Sequence, residues 1–67
     1  MIRLVVNGEK ITIKKELNIL EYLEQISLDP QTVIIELNLK IIKRELWANT
    51  NLKKDDQLEI IHFVGGG

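Results

Sequence analysis

Residues 7 and 8 are Asn-Gly, set between two runs that alternate apolar and polar side chains, and this limits the fold more than any other short feature of the chain. Both residues tolerate the positive φ of a type I′ turn, whose twist matches that of paired strands. Ile2, Leu4 and Val6 ahead of the turn, and Ile11 and Ile13 behind it, give each arm one apolar face. The first fourteen residues are therefore expected to form a β-hairpin. Its apolar face must then be covered by the remainder of the chain.

Asn18 precedes Ile19, and Glu21 stands three residues after Asn18, the spacing of a capping box at a helix start. Ile19, Leu20, Leu23 and Ile26 recur at helical spacing, with Glu21, Glu24 and Gln25 on the other side. The helix is expected to run to about Ser27 and to end at Asp29-Pro30, because the residue before proline is pushed out of the α region. Its apolar stripe reads as core. Val33 to Leu37 reads as a strand, Leu39 to Ile42 as a short further strand, and Lys43 to Trp47 as a helical turn. Lys53 to Asp56 is a polar turn, and Gln57 to Phe63 is the last strand, with Leu58 and Ile60 on one face. The order β, β, α, β, β, β predicts an α+β roll, a mixed sheet of four to five strands with one helix packed across one face.

A chain of 67 residues has room for one core, and without cysteine neither disulfides nor a thiolate metal site can supplement it. Hydrophobic residues make up 45% of the chain, so aliphatic packing must carry the fold. Residues 1–63 are read as the domain and residues 64–67 as a flexible C-terminal glycine tail. A formal net charge of -1 argues against a nucleic-acid footprint, which needs a basic face. The absence of a long apolar run or a signal-peptide pattern predicts no membrane association and a cytoplasmic protein.

Material for catalysis is thin. His62 is the only histidine, and no serine or cysteine is paired with it to make a nucleophile. It reads as a surface or packing residue. Asp55-Asp56 reads as a solvated turn, since a calcium or magnesium site needs more converging oxygens. Gly65-Gly66-Gly67 is no phosphate loop, because no helix comes after it. No metal site and no bound cofactor are expected.

The chemistry left is that of the end of the sequence. The α-carboxylate of Gly67 is ionised at neutral pH, with a reference pKa of about 3.3–3.7. It is a poor electrophile until activated, most simply by ATP as an acyl-adenylate. Val64 to Gly67 can extend at most about 14 Å. That reach suits threading into a partner's active site while the domain docks outside. If Leu58 and Ile60 face the core, Glu59, Ile61 and Phe63 face outward, and with Val64 they form the candidate docking surface.

Taken together, Asn7-Gly8-Glu9, Glu36-Leu37-Asn38, Arg44 with Trp47, and the run from Leu58 to Gly67 ending Val-Gly-Gly-Gly resemble the ThiS family of bacterial sulfur carriers, over essentially the whole chain. The resemblance implies a β-grasp, ubiquitin-like fold and a carrier role in thiamine biosynthesis. It implies that an E1-like (ThiF-like) adenylyltransferase activates Gly67 with ATP and that sulfur from a cysteine desulfurase makes a thiocarboxylate there. A ThiG-like thiazole synthase would then take the sulfur. Gly65 and Gly66 would be the conduit, and the protein, a monomer when free, would be a cosubstrate and not an enzyme. Other readings are the small subunit of molybdopterin synthase, a protein modifier linked through Gly67, and an interaction domain with inert glycines. The chain departs from the family's pattern at Asp55, where glycine is common, at Lys43, where proline is frequent, and at Leu46, where a polar residue is usual.

Overall fold

The computed structural model describes residues 1–63, and these hold five strands, one α-helix and two 3-10 segments. The strands are β1 (Ile2–Val6), β2 (Glu9–Ile13), β3 (Val33–Leu37), β4 (Lys40–Ile41) and β5 (Gln57–His62), and the helix is α1 (Ile19–Gln25). They form one sheet in the order β2-β1-β5-β3-β4. The last strand lies at the centre, parallel to β1 and antiparallel to β3. This is the α+β roll expected from the sequence, with five strands.

The Asn-Gly turn behaves as its chemistry dictates. Asn7 has φ 49 and Gly8 φ 81, and Val6 faces Glu9 across the closing pair. The capping box at α1 is complete: Asn18 Oδ1 accepts from the Glu21 amide at 2.8 Å, and Glu21 Oε1 accepts from the Asn18 amide at 2.9 Å. The other end of the helix departs from the sequence reading. It stops at Gln25, before the proline has any influence. Ser27 takes φ 61, its amide donates to Glu24, and the Leu28 amide donates back to Leu23. Those two bonds are a Schellman ending with serine where glycine is usual. Asp29-Pro30 instead starts a 3-10 turn (Pro30–Thr32), with the Asp29 carboxylate accepting from the Gln31 amide at 2.9 Å.

The helix-facing side of the sheet, with Leu4, Val6, Ile13, Val33, Ile35, Leu58 and Ile60, packs on Ile19, Tyr22 and Leu23 of α1. Fully burying one such aliphatic side chain is worth about 1.5–3 kcal/mol. Ile26, assigned to the apolar stripe, is 39% exposed, and Tyr22 takes its place in the core. Burial pushes the Tyr22 hydroxyl pKa above its ordinary value, because the phenolate would lose hydration there.

Two further core residues come from outside the regular elements. Leu17 and Leu52 are buried, and the Leu52 amide donates to Leu17 at 2.8 Å beside an antiparallel bridge between Asn18 and Asn51. The segment read as a helical turn from Lys43 is a 3-10 helix, Arg44–Asn49. Trp47 is buried there, its Nε1 donates to the Ile42 carbonyl at 2.9 Å, and the Arg44 guanidinium lies 5.4 Å from its ring centroid. The spacing of Arg44 and Trp47 is thus a packing device, with a cation held over the ring.

Candidate functional site

Alternation along β5 divides the strand as the sequence predicts. Leu58 and Ile60 are buried, while Gln57, Glu59 and Ile61 are exposed on the opposite face. Phe63 comes next, 46% exposed like Ile61, with its amide held by the Thr32 carbonyl at 3.1 Å. Register then assigns neighbours. Ile34 faces Ile61, Glu36 faces Glu59, and Ile41 of β4 faces Glu36 from the other side. An apolar group of Ile34, Ile61 and Phe63 therefore borders a pair of glutamates directly opposite each other, with the exposed Ile41 beyond. Like charges facing one another across a sheet are unfavourable within the domain alone. A partner presenting a cation between them would relieve that repulsion.

Val64, Gly65, Gly66 and Gly67, named from the sequence as docking, conduit and attachment residues, lie outside the described residues. The structure does describe the strand that leads to them. On one side β5 pairs with β3 from Leu37 opposite Leu58 to Val33 opposite His62. On the other side β1 reaches only as far as Val6 beside Leu58, where the Asn7 amide donates to the Leu58 carbonyl at 2.9 Å. Beyond that point the Asn7 side chain takes over. Its Oδ1 accepts from the Ile60 amide at 2.7 Å, and its Nδ2 donates to the Ile60 carbonyl at 3.4 Å. These bonds join residues 53 apart in sequence, and turn chemistry alone gives no sign of them.

The other end of β5 is secured by side chains too. Asn38 Oδ1 accepts from the Gln57 amide at 2.9 Å, Asn38 Nδ2 donates to Asp56 at 3.0 Å, and Asp56 accepts from the Lys53 amide at 2.7 Å. Asp56 is therefore a turn organiser, more than the solvated carboxylate read from the sequence. Asp55, which stands where the family often has glycine, has φ 67, the conformation that glycine would accept without strain. Lys43 has φ -60, a value proline also adopts, so that departure leaves the backbone path unchanged.

His62 is exposed at the end of β5. Among the described residues no three histidine, aspartate or glutamate side chains converge as metal ligands. No described helix is long and apolar enough to cross a membrane.

The profile of the ThiS family matches residues 2–67. The sulfur carrier protein ThiS of Bacillus subtilis is 38% identical over 65 residues, covering 96% of this chain and 98% of that protein. A thiazole synthase of Paramagnetospirillum magneticum is 32% identical over 97% of this chain, which spans only 20% of the synthase. The crystal structure of the thiamine biosynthesis protein ThiS from Geobacter metallireducens superposes with a TM-score of 0.86 at 33% identity, covering 98% of this chain and 100% of that one. Size and sequence agree in this likeness over residues 2–67, and the fold agrees with it. The chain belongs to the ThiS family and has its β-grasp fold.

Proposed function

We propose that this protein carries sulfur for the thiazole of thiamine on the carboxyl group of Gly67, which the reading takes as the terminal residue. The observation that carries the proposal is the near end-to-end likeness to a sulfur carrier of the same size. In the first step a carboxylate oxygen of Gly67 attacks the α-phosphorus of ATP within a ThiF-like enzyme, and pyrophosphate leaves. In the second, the terminal sulfur of a persulfide, originating from a cysteine desulfurase, attacks the acyl carbon; a C–S bond forms and the C–O bond to AMP breaks. A thiol then attacks the resulting acyl disulfide, its S–S bond breaks, the thiol leaves as a disulfide with the former persulfide carrier, and a thiocarboxylate remains. The thiocarboxylate then gives its sulfur to a ThiG-like thiazole synthase.

The match to a segment of a thiazole synthase supports that last partner. A carrier-like segment joined to the enzyme it serves would act at high effective concentration. In this reading ATP is the partner's substrate, the carrier is a cytoplasmic monomer when free, and it acts as a consumed and recharged cosubstrate. The outer face of β5 (Glu59, Ile61, Phe63, and Val64 beyond) docks the partner, with the Glu36–Glu59 pair accepting a cation from it. Gly65 and Gly66, lacking Cβ atoms, pass through a narrow channel.

The test is intact mass after incubation with ATP, an E1-like enzyme and a sulfur donor. The expected product is heavier by the difference between sulfur and oxygen, and Ile61→Glu, still folded, forms it more slowly through a raised KM. Unchanged mass, or linkage of Gly67 to lysines, refutes the carrier reading. Unfolding of Ile61→Glu would place that side chain in the core and refute the docking assignment.

A further inference from the structure

We infer that Asn7 is a positioning residue for the terminal segment, acting through Ile60 to fix the direction in which β5 delivers it. The inference rests on the carrier reading above. In the sheet β5 outruns its parallel neighbour: β1 ends at Val6, level with Leu58, and the chain then turns back at Asn7-Gly8. The next rung on that side would leave the Ile60 amide and carbonyl unpaired. The Asn7 carboxamide occupies that rung, accepting from one at 2.7 Å and donating to the other at 3.4 Å, as one residue of an added strand would. Past Ile60 the described strand is hydrogen-bonded on the β3 side, through to the Phe63 amide on Thr32.

Two demands meet at this position. The turn needs a residue comfortable at φ 49, which aspartate, asparagine and glycine satisfy. Only asparagine also offers both a donor and an acceptor to a peptide group. The clamp sits three residues before Phe63, so a change of strand direction at Ile60 is carried through Ile61 and His62 to the last described residue. Small errors in presenting a reacting group are costly in rate, since about 1 Å of misplacement can cost around a hundredfold.

Asn7→Gly preserves the turn and removes the clamp. Asn7→Asp preserves the turn and the acceptor for the Ile60 amide. Thiocarboxylate formation is followed for both with the adenylating enzyme, ATP and sulfur donor, alongside amide hydrogen exchange. In Asn7→Gly, kcat is expected to fall about threefold to tenfold with KM within about twofold, the scale of one or two lost hydrogen bonds. The Ile60 amide should exchange at least about tenfold faster while the Leu52 amide, held by the Leu17 carbonyl at 2.8 Å, keeps its protection. Asn7→Asp is expected to recover most of both losses. Wild-type kinetics in a folded Asn7→Gly would overturn the inference, and so would loss of protection at Ile60 and Leu52 together, which would make Asn7 a residue of global stability. If the wild-type chain itself gains no sulfur, the carrier reading falls and takes this inference with it. If wild type loads and Asn7→Gly loads equally well, only the role of Asn7 falls.

Discussion

Replacing Leu39 by glycine should make the protein more stable, although it removes the whole side chain. The turn between β3 and β4 has Asn38 at φ 51 and Leu39 at φ 71, both positive, as a type I′ turn requires. The first hairpin meets the same demand with Asn-Gly; the second meets it with Asn-Leu. A side chain in the left-handed region costs roughly 1–2 kcal/mol. Leu39 is 85% exposed, so its burial returns only about 0.3 kcal/mol. Glycine would raise the entropy of the unfolded chain, an opposing effect of about 0.4–1 kcal/mol. The difference is a net gain of about 0.5 kcal/mol, or roughly 2–4 °C in Tm for a domain of this size. Thermal and urea unfolding followed by circular dichroism measure it, with the urea m-value expected to be unchanged. Leu39→Ala is the control, because alanine keeps the Cβ and its strain while removing the exposed apolar surface. If Leu39→Ala is stabilised as much as Leu39→Gly, or if glycine lowers Tm, backbone strain is not what this turn carries.

Trp47→Phe keeps an aromatic ring in the core but empties part of the site and leaves the Ile42 carbonyl without its donor. A loss of about 2 kcal/mol in urea unfolding is expected, and a loss below about 0.5 kcal/mol would show that the indole bond contributes little. Tyr22 governs behaviour in alkali. Its native pKa lies above the unfolded value of about 10, so above that pH the unfolded chain holds fewer protons than the native one. Its contribution is complete below pH ~10 and is lost as pH rises through the native pKa. The stability of wild type relative to Tyr22→Phe should therefore fall in alkali, and parallel pH profiles would refute the assignment.

What could be read from the sequence was set by short-range physics. The Asn7-Gly8 turn, the Asn18–Glu21 box and the alternation in β5 each involve neighbours within a few residues, and each formed as expected. The helix end was misread because Asp29-Pro30 is the stronger local signal, yet Ser27 adopts φ 61 first and closes the helix by returning the Leu28 amide to Leu23. Leu17 and Leu52 carry no periodic pattern; they are buried because two loops meet, which only the closed fold decides. Tyr22 is buried in place of Ile26 because Ile26 is the C-cap, where the chain already leaves the helix, and is 39% exposed. Of the candidate site, the exposed face was legible from period two alone. The facing glutamates needed the register, and the Asn7–Ile60 clamp needed the strand order.

The central place of β5 has a consequence for how the chain matures. Its parallel partner β1 comes from the far end of the sequence, with Val5 beside Gln57 and Val6 beside Leu58. The hairpin and α1 can form from local contacts, but that junction closes a loop of nearly the whole chain before any contact compensates for the lost entropy. During N-to-C synthesis the sheet has no middle until its last strand is made. In the carrier reading, a partner docking on the outer face of β5 would meet a surface assembled from β3, β4 and β5 together, which exists only once β5 has paired with β3. The topology thus ties the proposed docking face to the last strand made, and a copy whose β5 has not yet paired with β3 lacks it.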